Sequence, residues 1–153
     1  MLIQRYQIIK ILRHIDILSD SYLAFDPLAE EEVVIKILKK IDGQYDNDTI
    51  ELFFREAAIL STFESPHFVK VLDFEKDYDP PFMVMELLKG VYLGEVMAPI
   101  RNDECLTSEN KFKIFTQLVE GVDYMHKKDI IHSNLDPRHI FITENMLVKI
   151  IGF

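Results

Sequence analysis

Lys36 is the first residue whose type and place suggest chemistry. It stands in residues 32–39, a β-branched and nearly all-apolar run in which alternation puts Val34, Lys36 and Leu38 on one face and Val33, Ile35 and Ile37 on the other. An unpartnered ammonium in that setting is costly to desolvate. Either Lys36 lies at the surface with its stem along the sheet, or a carboxylate comes to it, and the segment 48–61 offers Glu56 beside an apolar stripe. The second cluster is the polar loop Ile130-Ile-His-Ser-Asn-Leu-Asp-Pro-Arg-His-Ile-Phe-Ile-Thr143, held between an apolar lead-in and a strand-like run. It carries Asn134, Asp136 and His139. His126, His132 and His139 recur at short, nearly even intervals and could be drawn with Asp136 as a zinc site. Asp46, Asp48 and Glu51 read instead as capping and dipole charges at a helix start.

The elements that must position these groups follow from period. Residues 4–12 and 21–26 read as two strands of an antiparallel pair, the second ended by Asp26-Pro27. The 32–39 strand should be covered on both faces. Asp48 is the expected cap of a helix over 48–61, with Ile50, Phe53, Phe54, Ala57 and Leu60 at helical spacing. Residues 69–75 and 82–86 read as strands separated by the turn-rich Lys76-Asp-Tyr-Asp-Pro-Pro81. The expectation is a five-stranded antiparallel sheet with one helix. Beyond Lys89-Gly90 the pattern turns helical, over 93–97 and then 108–127, where Phe112, Phe115, Leu118, Val119, Val122 and Met125 form one wide stripe. Two short strand-like runs, 140–142 and 147–151, close the sequence.

Composition bounds the function classes. With 153 residues, 48% hydrophobic and 28% charged, one globular domain is expected. The 17 basic against 26 acidic residues, a net charge of −9, and the absence of a basic run argue against nucleic acid and anionic membrane as partners. The 11 Phe and 6 Tyr then read as core rather than base-stacking surface. Cys105 is alone, so no internal disulfide forms, and Asp103 and Glu104 disfavour its thiolate. A reducing cytoplasm fits. Residues 1–12 resemble neither a signal core nor part of a membrane span.

Several motifs in order carry a resemblance. Val33-Val-Ile-Lys36 resembles the Val-Ala-Ile-Lys strand of protein kinases, and Arg55-Glu56 falls where that family has its helix glutamate. Met83-Val-Met-Glu-Leu-Leu-Lys-Gly90 resembles the hinge, and His132-Ser-Asn134 stands where the family has His-Arg-Asp. Tyr22-Leu-Ala-Phe-Asp-Pro27 is similar to bacterial Ser/Thr kinases. The order and spacing match from about Tyr6 to Phe153. The resemblance implies an α+β fold: a small lobe and hinge over 1–88, then the start of a helical large lobe over 89–153. It places Leu60, Val71 and His132 in the stacked regulatory spine, Met85 at the gatekeeper, and Phe153 where the Phe of Asp-Phe-Gly would sit. As a nucleotide site it implies Lys36, Glu56, Met85, Glu86 and Leu88, with the Lys36 to Glu56 pair orienting the α- and β-phosphates. A packed scaffold histidine then explains His132 better than zinc does.

The resemblance also marks what is replaced. Arg13-His-Ile-Asp-Ile-Leu-Ser-Asp-Ser21 has no glycine where the family's bare backbone closes over phosphates, and Asp16 and Asp20 would repel a triphosphate. Asn134 stands for the catalytic Asp, and an amide takes no proton near neutral pH. Asp136 replaces a lysine, so attraction for the transferring phosphate becomes repulsion. His139 replaces the metal-binding asparagine, and Gly152 the Asp that holds the principal Mg²⁺. Val34 for Ala and Ser21 for Val on the roof of the adenine slot, with Phe141 for Leu on its floor, should narrow it.

Three readings follow. The favoured one is a truncated, inactive pseudokinase acting as a binding or regulatory module with no cofactor, its partner or a second copy covering apolar surface on 108–127. The second is a divergent Ser/Thr kinase using Lys36, ATP and Mg²⁺. The third, suggested by Gly152-Phe153 closing the sequence in mid-motif, is a degenerate gene fragment without selected activity.

Overall fold

The computed structural model describes residues 1–13, 18–97 and 107–152, so the expectations resting on Asp16, Cys105 and Phe153 lie outside the described residues. The chain divides into two compact units, one of residues 1–62 and 70–87, the other of residues 63–69 and 88–153.

The first unit is an antiparallel sheet. Its strands are β1 (Leu2–Ile3), β2 (Tyr6–Arg13), β3 (Ser19–Asp26), β4 (Glu31–Leu38), β5 (Val71–Glu75) and β6 (Phe82–Glu86), in spatial order β1-β2-β3-β4-β6-β5. It therefore has six strands among the described residues where five were expected. The addition is β1, which pairs Leu2 with Gln7 and is too short to show a period in sequence. Cross-strand register sorts the side chains by face. Ile35 lies opposite Val84 and Ile37 opposite Phe82, and these join Ile3, Tyr6, Ala24 and Val33 in one core. On the other face Val34 lies opposite Met85, and Lys36 opposite Met83. Tyr6 is wholly buried, and its hydroxyl donates to Asp73 Oδ2 at 2.7 Å, while Arg5 bridges Asp73 and Asp26 at 3.2 Å each. Burial and then the Asp73 bond push the Tyr6 phenol up, so it stays neutral and donating.

Helix α1 (Asn47–Ser61) buries Phe53, Phe54, Glu56, Ala57 and Leu60. Its cap is Asp46, not Asp48: Asp46 Oδ1 accepts the Thr49 N–H at 2.8 Å, and Asp48 falls within the first turn. Two neighbouring acidic residues offer the same cap signal, and only the backbone dihedrals choose between them.

The second unit holds β7 (Gly90–Tyr92), α2 (Leu93–Val96), α3 (Ser108–His126), β8 (Ile140–Thr143) and β9 (Val148–Ile150), with sheet order β7-β8-β9. Strand β7 precedes the expected helix over 93–97 and had no counterpart in the sequence pattern. Residues 63–69, expected in the small lobe, belong here for a physical reason. His67 Nδ1 meets Val148 O at 3.0 Å, Ile150 N donates to His67 O at 2.7 Å, and Lys149 Nζ donates to Phe68 O at 2.9 Å. Phe63, Phe68 and Tyr124 pack edge-on around them.

The stripe expected on α3 is split. The buried line is Ile114, Gly121 and Met125 with half-buried Leu118, whereas Phe112 is 71% exposed, Phe115 63% and Val119 49%. Gly121 sits in the buried line because a Cβ there would lie 2.8 Å from Ile150 Cδ1. Gln117 fastens the helix to the β8–β9 turn, donating to Met146 O at 2.9 Å and accepting from Val148 N at 3.0 Å. Among the described residues no helix is long and apolar enough to cross a membrane.

Gly90 tests the small sheet. A Cβ there would stand 2.0 Å from Ile142 O, inside the backbone of the paired strand, while one at Gly94 would meet Pro137 O at an ordinary 3.5 Å. Gly90→Ala is expected to cost about 2 kcal/mol or more, and Gly94→Ala to stay within about 0.5 kcal/mol. Urea unfolding of the two variants measures this, and equal losses would contradict the register.

Candidate functional site

Two groups of polar residues are built by these elements, one in each unit. In the first, β4 carries Lys36 on the face toward α1, and one turn after Phe53 the helix presents Glu56. Lys36 Nζ donates to Glu56 Oε2 at 2.7 Å, with the two side chains 16% and 10% exposed. The carboxylate that a lysine in a covered strand requires is thus supplied by α1. Leu60 is buried, and Val71 lies opposite the buried Met85. Glu86 closes β6: its backbone N–H donates to Lys70 O at 3.0 Å, and its Oε1 accepts the Lys70 N–H at 2.8 Å. Leu88, which belongs to the second unit, is half-buried. Ser21 lies opposite Lys36, and the residue directly across from Val34 is the buried Leu23, a bulkier neighbour that sequence reasoning missed. Asp20 is not a bare charge, since Lys39 Nζ stands 3.4 Å away.

In the second unit the loop before β8 turns its polar groups on one another. His132 is buried; Asn134 N–H donates to its Nδ1 at 3.3 Å, which leaves Nε2 to donate to Ile151 O at 3.0 Å. Asn134 itself is exposed. Asp136 opens an Asx turn across Pro137. Its Oδ1 accepts the Arg138 N–H at 2.7 Å and its Oδ2 the Arg138 Nε–H at 3.1 Å, with Nη2 on the same oxygen. The Arg138 guanidinium holds the Asp136 carboxyl down to about 2 from the ordinary 3.8. Arg138 was not singled out from sequence, although Asp-Pro-Arg is a turn signal that could have found it. His139 Nδ1 lies 3.2 Å from Asp136 Oδ1, outside hydrogen-bond geometry. Phe141 is buried edge-on against Tyr92, centroids 5.0 Å apart.

The drawn zinc arrangement does not form: among the described residues no three His, Cys, Asp or Glu side chains come together as metal ligands, and His126 is exposed. Nor does the second unit suit Mg²⁺. That hard cation takes oxygen ligands, but Gly152 has no side chain, His139 presents an imidazole, and the oxygens of Asp136 are committed to Arg138.

A curled antiparallel sheet with a lysine–glutamate pair between strand and helix, together with a second unit that carries helix α3 on a small three-stranded sheet, defines a protein-kinase-type fold. The solved structure described as the PpkA-294 apo form matches it with a TM-score of 0.84, over 99% of this chain and 59% of that one, at 17% identity. The family model for protein tyrosine and serine/threonine kinases matches residues 20–153, and the chain belongs to that family. It is 31% identical to the serine/threonine-protein kinase PrkC of Bacillus subtilis, over 97% of this chain and 22% of PrkC. It is 27% identical to PknA of Corynebacterium glutamicum, over 89% of this chain and 29% of PknA. The chain therefore spans less than a third of the length of these curated relatives.

Two outcomes test this geometry. Lys36→Met strands a buried carboxylate and is expected to cost about 3 kcal/mol, most of it regained in Lys36→Met/Glu56→Leu; denaturant titration of these two variants, Glu56→Leu and the unsubstituted protein measures the coupling. For Asp136 the sign follows from a folded value below the ordinary one: its contribution is complete above pH 3.8 and is lost as pH falls through about 2. Carbon NMR should find the Asp136 midpoint near 2, moving back toward 3.8 in Arg138→Ala.

Proposed function

We propose that this serine/threonine-kinase-like domain no longer transfers phosphate and serves as a binding or regulatory module. The observation that carries the reading is the polar loop of the second unit. The position of the family's base is an amide, Asn134, which accepts no proton near neutral pH. Asp136, where the family has a lysine, brings no positive charge to a phosphoryl group and spends its carboxylate on Arg138. The donor set does not suit the cation that would neutralise a transferring phosphate. The exposed Phe112, Phe115 and Val119 support the binding half of the proposal, as an apolar face that self-association or a protein partner would cover.

The intact Lys36 to Glu56 pair favours a second reading, a divergent ATP-dependent Ser/Thr kinase in which those residues, with Met85, Glu86 and Leu88, still hold nucleotide. The two separate cleanly. A nucleotide site filled to 100 times its Kd would add about 2.7 kcal/mol and raise Tm by several degrees. We expect no rise with ATP and Mg²⁺ and no transfer from labelled ATP to the protein or a generic substrate above the Lys36→Met background. Transfer that Lys36→Met abolishes would establish the second reading. The apolar face is tested by sedimentation velocity: concentration-dependent association, lost in Phe115→Glu, is the expected result.

A further inference from the structure

Positions 139 and 152, which the inactive reading takes as lost cation ligands, are packed against each other. Gly152 has φ +74°, and a Cβ built on it would lie 2.6 Å from His139 Cδ2 and 3.2 Å from Nε2. Non-bonded carbons settle at about 3.5–4.0 Å, so no side chain at 152 can coexist with the ring where it stands. The backbone of His139 is tied on both sides. It donates N–H to Asp136 O at 2.9 Å and accepts Ile151 N–H on its carbonyl at 3.0 Å. The ring Nδ1 is buried 3.2 Å from Asp136 Oδ1 without a hydrogen bond, and the His132 ring lies 5.9 Å away, centroid to centroid.

Resting on the inactive reading and going beyond it, we propose that His139 is a plug: its ring fills the volume through which a side chain at 152 would reach a divalent cation, so the two positions are interlocked and neither reverts alone. The cation position is then closed by occupied space as well as by missing ligands. A glycine is required at 152 as long as histidine stands at 139, and restoring cation affinity needs both changes.

Mn²⁺ alone is the probe, followed by paramagnetic broadening of amide resonances in the second unit. Gly152→Asp and His139→Asn are expected to bind it no better than the unsubstituted chain, and the double variant about tenfold or more tighter. Mn²⁺ binding by Gly152→Asp alone, equal to that of the double variant, would overturn the proposal, as would a normally melting double variant that gains no affinity. A metal-free cycle guards against misfolding. Gly152→Ala should lower Tm by several degrees in the unsubstituted chain and by clearly less in a His139→Ala background; the backbone strain at 152 is common to both backgrounds and cancels. Equal losses would sink the interlock. Detection of phosphate transfer by the unsubstituted chain would remove the inactive reading but leave the melting cycle standing, so the two failures are told apart.

Discussion

A charged group in a strand covered on both faces has to be met, and the first unit is arranged around that need. Strand β4 uses Val33, Ile35 and Ile37 to build the core with Phe82 and Val84, which leaves Lys36 on the opposite face among Val34, Met83 and Met85. A carboxylate brought by a second element meets that ammonium, as α1 presents Glu56 while burying Phe53, Ala57 and Leu60. A buried ion pair adds little net stability over a well-packed apolar pair, yet losing one member is expensive. Its effect is to fix which face of α1 meets the sheet.

The polar loop of the second unit obeys the same rule with a different result. His132, Asp136 and the backbone around His139 satisfy one another, through Ile151 O, Arg138 and the Asp136 carbonyl. The carboxylate of Asp136 is here spent internally, on Arg138. A loop whose hydrogen bonds are made within itself is well positioned but offers little to a ligand. This is a property of the set: Arg138 bonds the Asp136 carboxylate, and the His139 ring packs against Gly152.

Helix α3 shows how close packing selects one face among two. Gly121 lets the helix approach Ile150, Gln117 bonds the β8–β9 turn through both of its amide atoms, and His67 ties residues 63–69 to β9. With the buried line set by those contacts, Phe112, Phe115 and Val119 are left to solvent.

Much of this was legible in the order of residues, because periods of two and 3.6 are local and because a lysine in an apolar strand demands a partner wherever the strand lies. The alternation around Lys36, the helical spacing that carries Glu56, and the replacements at 134, 136, 139 and 152 all stand in the linear chain. Strands as short as Leu2–Ile3 and Gly90–Tyr92 have no period to read, and exist only because a neighbouring strand accepts their hydrogen bonds. Ile114 and Gly121 could not be preferred over Phe112 and Phe115 by spacing, since both lines fit one amphipathic helix and only the fit against Ile150 separates them. The sequence by itself thus determined which residue types stand at 134, 136, 139 and 152. Tertiary structure alone decided that His139 stands in the space of a side chain at 152, because contacts between residues distant in the chain depend on where the backbone returns, and no local pattern records that.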